Sequence, residues 1–124
     1  MKNNFTNFNG LYLQDKDYLS PDFVFSETIE ARSSLFDWKV SHHIHSQLYQ
    51  FFFIIKGEGT CLLSNKDQKF SDPAVLIIPP NFSHGFNWQP NIFGHILTVS
   101  SRFVEGLLKD SPFVLTKFNQ PSII

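Results

Sequence analysis

The sequence predicts an all-β fold, a sandwich or barrel in one domain, and three observations carry that prediction. Short runs rich in β-branched and aromatic residues alternate with turn signals from Phe23 onward. The length of 124 residues is that of one ordinary domain. The composition is 42% hydrophobic and 17% charged, as in globular rather than disordered proteins. Phe occurs 15 times, which predicts a core, and a pocket within it, walled by aromatic rings.

Eight strands are predicted, and turns with a physical reason separate them. Gly57 and Gly59 tolerate positive φ, as a tight hairpin requires. Pro73 and the pair Pro79-Pro80 lack backbone donors, so we expect them at strand ends rather than inside a ladder. The predicted strands are 22–32, 35–45, 48–56, 59–64, 67–71, 74–79, 84–88 and 92–100.

The barrel is predicted over residues 21–100, with both ends of the chain outside it. Residues 1–20 are polar with scattered aromatics and predict an irregular N-terminal arm or a short edge strand. Residues 101–124 predict one short helix, which a serine at its start can cap and which Ser111-Pro112 ends, followed by an apolar tail. The apolar ending suggests a chain cut at a domain boundary.

The strand over 48–55 (LYQFFFII) is apolar on both alternating faces apart from Gln50. A strand that is wet on one side would alternate with polar residues. We therefore expect both faces to be covered, one by the barrel interior and the other by the N-terminal arm, the helix or a partner subunit.

Charge and cysteine content restrict the classes of function. The formal net charge is -1 and the ten cations form no run, so this segment alone is not expected to hold DNA. Cys61 is the only cysteine, which excludes an internal disulfide and suits a reducing cytoplasm. The N-terminus has no apolar run typical of a signal peptide, and Leu48 to Ile55 falls far short of the roughly 20 residues that span a bilayer. These features predict a soluble cytoplasmic protein.

Four of the five histidines concentrate in two blocks of sequence. The first block contains His43-Ile-His45, then Gln50 after four residues and Gly57 after six more. The second is Pro79-Pro-Asn-Phe-Ser-His84. Together they resemble the cupin superfamily, whose motifs are His-x-His with a later Glu and Gly, and Pro-x-Gly-x-x-His. This resemblance implies a jelly-roll barrel, also called a double-stranded β-helix, followed here by a short C-terminal helix.

In metal-binding cupins these blocks hold one divalent ion. The resemblance implies His43, His45, Gln50 and His84 as ligands of a transition metal such as Zn, Ni or Fe. Gln50 stands in the slot of a Glu, and its uncharged amide is a poor ligand for such an ion. The alternative is that the histidines are retained barrel residues that hydrogen-bond to one another or to the backbone.

Strand parity raises a second question about the first histidine block. Val40 and Ile44 share one parity, whereas His43 and His45 share the other. Either the strand breaks near Ser41-His42, or the histidine face points inward and the apolar face packs elsewhere.

A narrower resemblance covers about residues 22–110. Three short motifs resemble the N-terminal sensor domain of AraC/XylS-type transcription regulators: His43-x-His-x-x-Leu-Tyr-Gln, Leu-Ile-Ile-Pro-Pro and His84-Gly-Phe. Gln in the Glu position looks most like the branch that responds to aromatic acids such as hydroxybenzoate or hydroxyphenylacetate. The resemblance implies a small-molecule effector, a homodimer, and DNA contact only through a helix-turn-helix domain that is absent from this chain.

An aromatic carboxylate inside the barrel requires a partner for its buried charge. Arg offers a bidentate fork for carboxylate, and Arg32 is the only Arg within the predicted barrel strands. The alternative for Arg32 is an exposed strand residue. Candidate ring contacts of the effector are Trp38, Phe51, Phe53 and Trp88.

Two other functions compete with the sensor. One is a metal-dependent cupin enzyme, a dioxygenase or isomerase, which needs an open coordination position and a general base. The missing Glu and the lack of a further carboxylate near the histidines count against it. The other is a stand-alone cupin of storage or interaction type. His95 and Cys61 are expected to have structural rather than functional roles.

Overall fold

The computed structural model describes residues 6–8, 24–33, 39–45, 47–63 and 66–124, of which 6–8, 32–33 and 39–45 are described by their backbone. Ten strands and three helices lie in these ranges. In chain order they are β1 (Thr6–Phe8), β2 (Val24–Thr28), α1 (Ile29–Ser33), β3 (Lys39–His45), β4 (Leu48–Lys56), β5 (Glu58–Leu63), β6 (Asp67–Ser71), β7 (Ala74–Ile78), β8 (His84–Trp88), β9 (Phe93–Ser100), α2 (Ser101–Leu107), α3 (Pro112–Lys117) and β10 (Ser122–Ile123).

The strands form two five-stranded sheets with the orders β1-β3-β8-β5-β6 and β10-β7-β4-β9-β2. Within β2 to β9, the first strand pairs with the last, the second with the next to last, and so on inward to β5 with β6. All of these pairs are antiparallel. This nested pairing of eight strands over two sheets is a jelly roll, the fold class of the cupins. The predicted all-β jelly-roll fold is therefore confirmed.

Aromatic rings fill much of the interior between the two sheets. Phe52 lies 4.6 Å from Phe86, and Phe86 stacks on Trp88 with ring centroids 4.3 Å apart. Phe70 meets the edge of Trp88 at 5.5 Å. All four rings are buried, so the many Phe residues do build an aromatic core.

The opposite face of β4 is covered by the C-terminal helices. Tyr49 and Phe51 point away from the interior and contact Phe118, with ring centroids 6.4 Å and 5.8 Å apart. Val99 and Val104 belong to the same outer cluster. A helical segment therefore covers the outer face of β4 at Tyr49 and Phe51, as expected, whereas Phe53 and Ile55 farther along the same face are exposed.

The strand predicted over 22–32 is wrong in its second half. The strand ends at Thr28, and Ile29–Ser33 is a helix. Thr28 begins it, since its Oγ1 accepts a hydrogen bond from the backbone of Ala31 at 3.1 Å. Ile29 is fully buried in the interior cluster. Arg32 therefore belongs to α1 and not to a barrel strand.

The prediction of one C-terminal helix is also wrong, because the structure has two short helices there, α2 and α3. Ser100 caps α2 by accepting from the backbone of Phe103 at 3.1 Å, as expected. Pro112, however, starts α3 instead of only ending α2, because proline is well suited to the first turn of a helix. The tail then forms β10, which pairs with β7. None of the helices in the described ranges is long and apolar enough to cross a membrane.

A bulge in β3 answers the parity question. Val40 pairs with Phe86 and His43 pairs with His84, so three steps along β3 match two along β8. The extra residue falls at Ser41-His42, which agrees with the first of the two alternatives, a break in the strand at this point. Val40 and His43 consequently occupy equivalent register positions opposite two interior residues of β8.

Candidate functional site

Buried polar side chains gather at one end of the barrel. Gln50 and Thr98 are directly paired on β4 and β9, and His84 reaches Gln50 from the other sheet. Ser83 adjoins His84, and Ser100 follows Thr98 by two residues. In the part of the chain whose side chains are described, these five are the buried polar residues. We call this group the polar end.

A hydrogen-bonded chain links three members of the polar end. The amide nitrogen of Gln50 donates to Thr98 Oγ1 at 3.2 Å, and Gln50 Oε1 lies 3.1 Å from His84 Nε2. The other ring nitrogen, Nδ1, lies 2.9 Å from the carbonyl oxygen of Phe82. Gln50, His84 and Thr98 are each at most 1% exposed. Each of them therefore depends on protein partners in place of water.

The partners of His84 limit its hydrogen-bonding states. In the arrangement described, both ring nitrogens face oxygen acceptors, and both contacts are made only if both nitrogens carry hydrogen. A neutral ring with its hydrogen on Nδ1 keeps both contacts if the Gln50 amide turns over. The amide nitrogen then donates to Nε2, and the Thr98 hydroxyl donates to Oε1.

The first histidine block lies beside this chain in the sheet. His43 of β3 is the direct register partner of His84, and His45 pairs with Phe8 of β1. The two sequence blocks thus meet across neighbouring strands, as the cupin resemblance required. The side chains of His43 and His45 lie outside the described part of the structure.

Two of the four metal ligands that the resemblance implies, Gln50 and His84, have described side chains, and these two side chains contact each other. In either hydrogen-bonding state of His84, its Nε2 atom is engaged by Gln50, either through a hydrogen or through its lone pair. Gln50 also adds no negative charge to the site. Among the described residues, which do not include the side chains of His43 and His45, no group of three or more His, Cys, Asp or Glu side chains is arranged to hold an ion.

The structure separates the predicted ring contacts of the effector. Phe51 and Phe53 lie on the outer face of β4, where Phe51 packs in the cluster under the helices and Phe53 is 39% exposed. Neither lines the interior that contains His84. These two residues are therefore wrong as contacts of an effector inside the barrel, because the interior positions of β4 are the alternate ones, such as Gln50 and Phe52.

Trp88 faces the interior but lies four residues along β8 from His84, a distance of roughly 13 Å in a strand. Its ring packs in the aromatic core, and its Nε1 atom is buried with no hydrogen-bond partner among the described residues. Trp38 and the side chain of Arg32 lie outside the described part, so their predicted contacts with an effector stay predictions.

Sequence reasoning missed Thr98, Ser83 and Glu27. Thr98 and Ser100 are polar residues at interior positions of β9. Alternation places Thr98 on the same face as Ile96, whereas its contact with Gln50 depends on the pairing of β9 with β4. Ser83 Oγ is buried and has no hydrogen-bond partner among the described residues. Glu27 is half-buried and pairs with Ile96, so a carboxylate does stand at the interior edge of β2.

Two cavities lie away from the polar end. One, of about 410 Å³, crosses the strand pair β5–β6 between Glu58, Thr60 and Lys69. The other, of about 390 Å³, is apolar and is lined by Phe53, Val75 and neighbouring residues up to Ile124. Neither includes a residue of the polar end.

Cys61 has the properties of a core residue. It is 1% exposed, and burial together with the negative charge of Asp67 raises the pKa of its thiol to about 12. A nucleophilic cysteine needs a lowered pKa instead. His95 lies exposed on β9, with its ring 5.9 Å from that of Phe93.

Comparisons with known proteins found a solved structure of low similarity but no matching family model or curated protein. No protein-family model matches the chain, and no curated protein matches it. Among solved structures, a cupin protein from Bacteroides fragilis aligns with a TM-score of 0.40 and 14% sequence identity, over 73% of this chain and 85% of that chain. At this level the likeness carries no argument, and the fold assignment rests on the order of the strands.

Proposed function

We propose that this chain is the effector-binding domain of an AraC/XylS-type transcription regulator, and that a small organic effector binds at the polar end. The observation that carries the proposal is the gathering of the buried polar side chains at one end of an otherwise ring-filled barrel. Ligand sites in proteins are mostly apolar, with a few polar groups that fix orientation. The polar end, together with the buried rings of Phe86 and Phe52 beside His84, has this composition.

Ser83 gives the site a hydroxyl that has no hydrogen-bond partner among the described residues. An unpartnered buried hydroxyl costs on the order of 1–3 kcal/mol in the protein without ligand. An effector that offers a hydroxyl or carboxylate oxygen would pair with it. Hydroxybenzoate and hydroxyphenylacetate combine such oxygens with a ring that suits the neighbouring Phe86, whose centroid is 6.1 Å from the His84 ring.

A comparison of two serine variants tests the site. Ser83→Ala removes the unpartnered hydroxyl, so without ligand it leaves stability unchanged or raises it. By titration calorimetry we expect it to weaken binding of 4-hydroxybenzoate or 4-hydroxyphenylacetate about 5- to 10-fold. Ser71→Ala, at an exposed position on β6, is the matched control. Equal affinities in the two variants, or no binding of either compound by the native chain, would contradict the proposal.

The regulatory role has its own test. We expect the natural gene to continue past Ile124 with roughly a hundred residues that contain two helix-turn-helix patterns. Sedimentation of the chain with and without 4-hydroxybenzoate tests whether it forms the expected homodimer. A stop codon directly after Ile124 would contradict the regulator and favour an enzyme or a stand-alone binding protein.

A further inference from the structure

We propose that Gln50 is the residue that excludes a divalent metal ion from this barrel, and that its amide takes the place that a metal ligand would occupy. The inference concerns the chemistry of the polar end and stands whether or not an effector binds there. The histidine motifs are those of a metal site, whereas the described hydrogen bonds join Gln50 to His84 and Thr98.

The first step concerns electron pairs. A metal ligand must direct a free lone pair at the ion, and His84 holds Nδ1 against the Phe82 carbonyl, which leaves Nε2 as the coordinating atom. Gln50 contacts that atom at 3.1 Å and is itself tied to Thr98. For a neutral His84 ring this contact is a hydrogen bond when the Gln50 amide nitrogen donates to Nε2, and an ion would have to displace that hydrogen bond and leave a buried amide short of a partner, which costs free energy.

The second step concerns charge. Transition-metal sites with imidazole ligands bind more tightly when a carboxylate offsets part of the ion's charge, and a buried cation without such compensation is costly. Gln50 has nearly the shape of Glu and lacks its charge. The backbone pairing of His43 with His84 otherwise keeps the two histidine blocks adjacent. Gln50→Glu is thus the single replacement that would restore the missing negative charge to this site.

The test measures metal content directly in the full chain without an affinity tag. The native protein, dialysed against Zn²⁺, Ni²⁺ or Co²⁺ alone, should retain under ~0.1 equivalents. Gln50→Glu should retain about one equivalent and, with Co²⁺, show the absorption bands of a bound ion. Gln89→Glu adds the same charge at an exposed position after β8 and should match the native protein.

A second variant keeps the test valid if the buried negative charge of Gln50→Glu unfolds the chain. Gln50→His offers an uncharged metal ligand at the same position and should also gain binding. Adding His84→Ala to either variant should remove the gain. One equivalent of metal in the native protein overturns the proposal. So does failure of both Gln50 variants, folded by circular dichroism, to retain more metal than Gln89→Glu.

Discussion

Replacing Thr98 by valine tests the hydrogen-bonded chain at its least exposed member. The two side chains have nearly the same shape, so Thr98→Val removes a hydroxyl without opening a cavity of any size. Thr98 is 0% exposed and accepts from the Gln50 amide at 3.2 Å. The variant leaves a buried donor without its partner, and water cannot replace it.

The expected magnitude follows from that loss. An unsatisfied buried polar group costs about 1–3 kcal/mol of unfolding free energy. For a chain of 124 residues, an unfolding entropy of about 2.1 cal/mol/K per residue converts this into a drop of roughly 4–12 °C in Tm. Even the lower bound exceeds the error of a paired measurement.

The assay is urea unfolding at 25 °C, followed by circular dichroism, with Thr60→Val as the matched control. Thr60 lies on the outer face of β5 and is half-buried, so its replacement should change the unfolding free energy by no more than about 0.5 kcal/mol. The two variants should have equal denaturant slopes, which shows that the unfolded states are alike. A Thr98→Val variant as stable as Thr60→Val would refute the hydrogen-bonded chain.

Three further outcomes are expected. Arg32→Ala should weaken binding of 4-hydroxybenzoate more than threefold. Arg102→Ala, on the exposed side of α2, should not weaken it. Equal calorimetric titration curves for the two variants would contradict the role of Arg32 as the carboxylate anchor. Phe118→Ala should lower the unfolding free energy, measured in urea, by about 2–3 kcal/mol, because the Phe118 ring packs on β4. Phe113 is 72% exposed, so Phe113→Ala should lower it little. Equal losses in the two variants would show that α3 does not cover the sheet. Cys61 should be inert to Ellman's reagent at pH 8 until the chain unfolds, since burial raises its pKa to about 12. Because the unfolded thiol ionises at lower pH than the folded one, stability should fall as pH rises above about 8.5, with a smaller slope in Cys61→Ala; rapid labelling of the native protein would contradict this.

The strands were largely predictable because period-two patterns and turn residues are local signals. The runs at 48–56, 67–71 and 84–88 have the bounds of β4, β6 and β8. Helix α1 was missed because a buried Ile29 and a short polar stretch continue the apparent strand pattern, while the cap at Thr28 is only one hydrogen bond. Pro112 is a signal for the end of α2, but proline also suits the first turn of a helix, and here it starts α3.

The candidate site was predictable only in part, because strand parity is local and pairing is not. The motifs predicted that Gln50 and His84 meet, and they lie 3.1 Å apart. Phe51 and Phe53 were chosen for ring chemistry without regard to the face that Gln50 occupies. Thr98 required knowledge that β9 pairs with β4, a contact between residues 48 positions apart.

The location of ligand binding is the most direct test of the account. Chemical shifts of the isotopically labelled chain should be recorded while 4-hydroxybenzoate is added. If the effector binds at the polar end, the largest changes should fall on Ser83, His84 and Thr98. Changes confined to the apolar cavity around Phe53 and Val75, with the polar end unaltered, would contradict it.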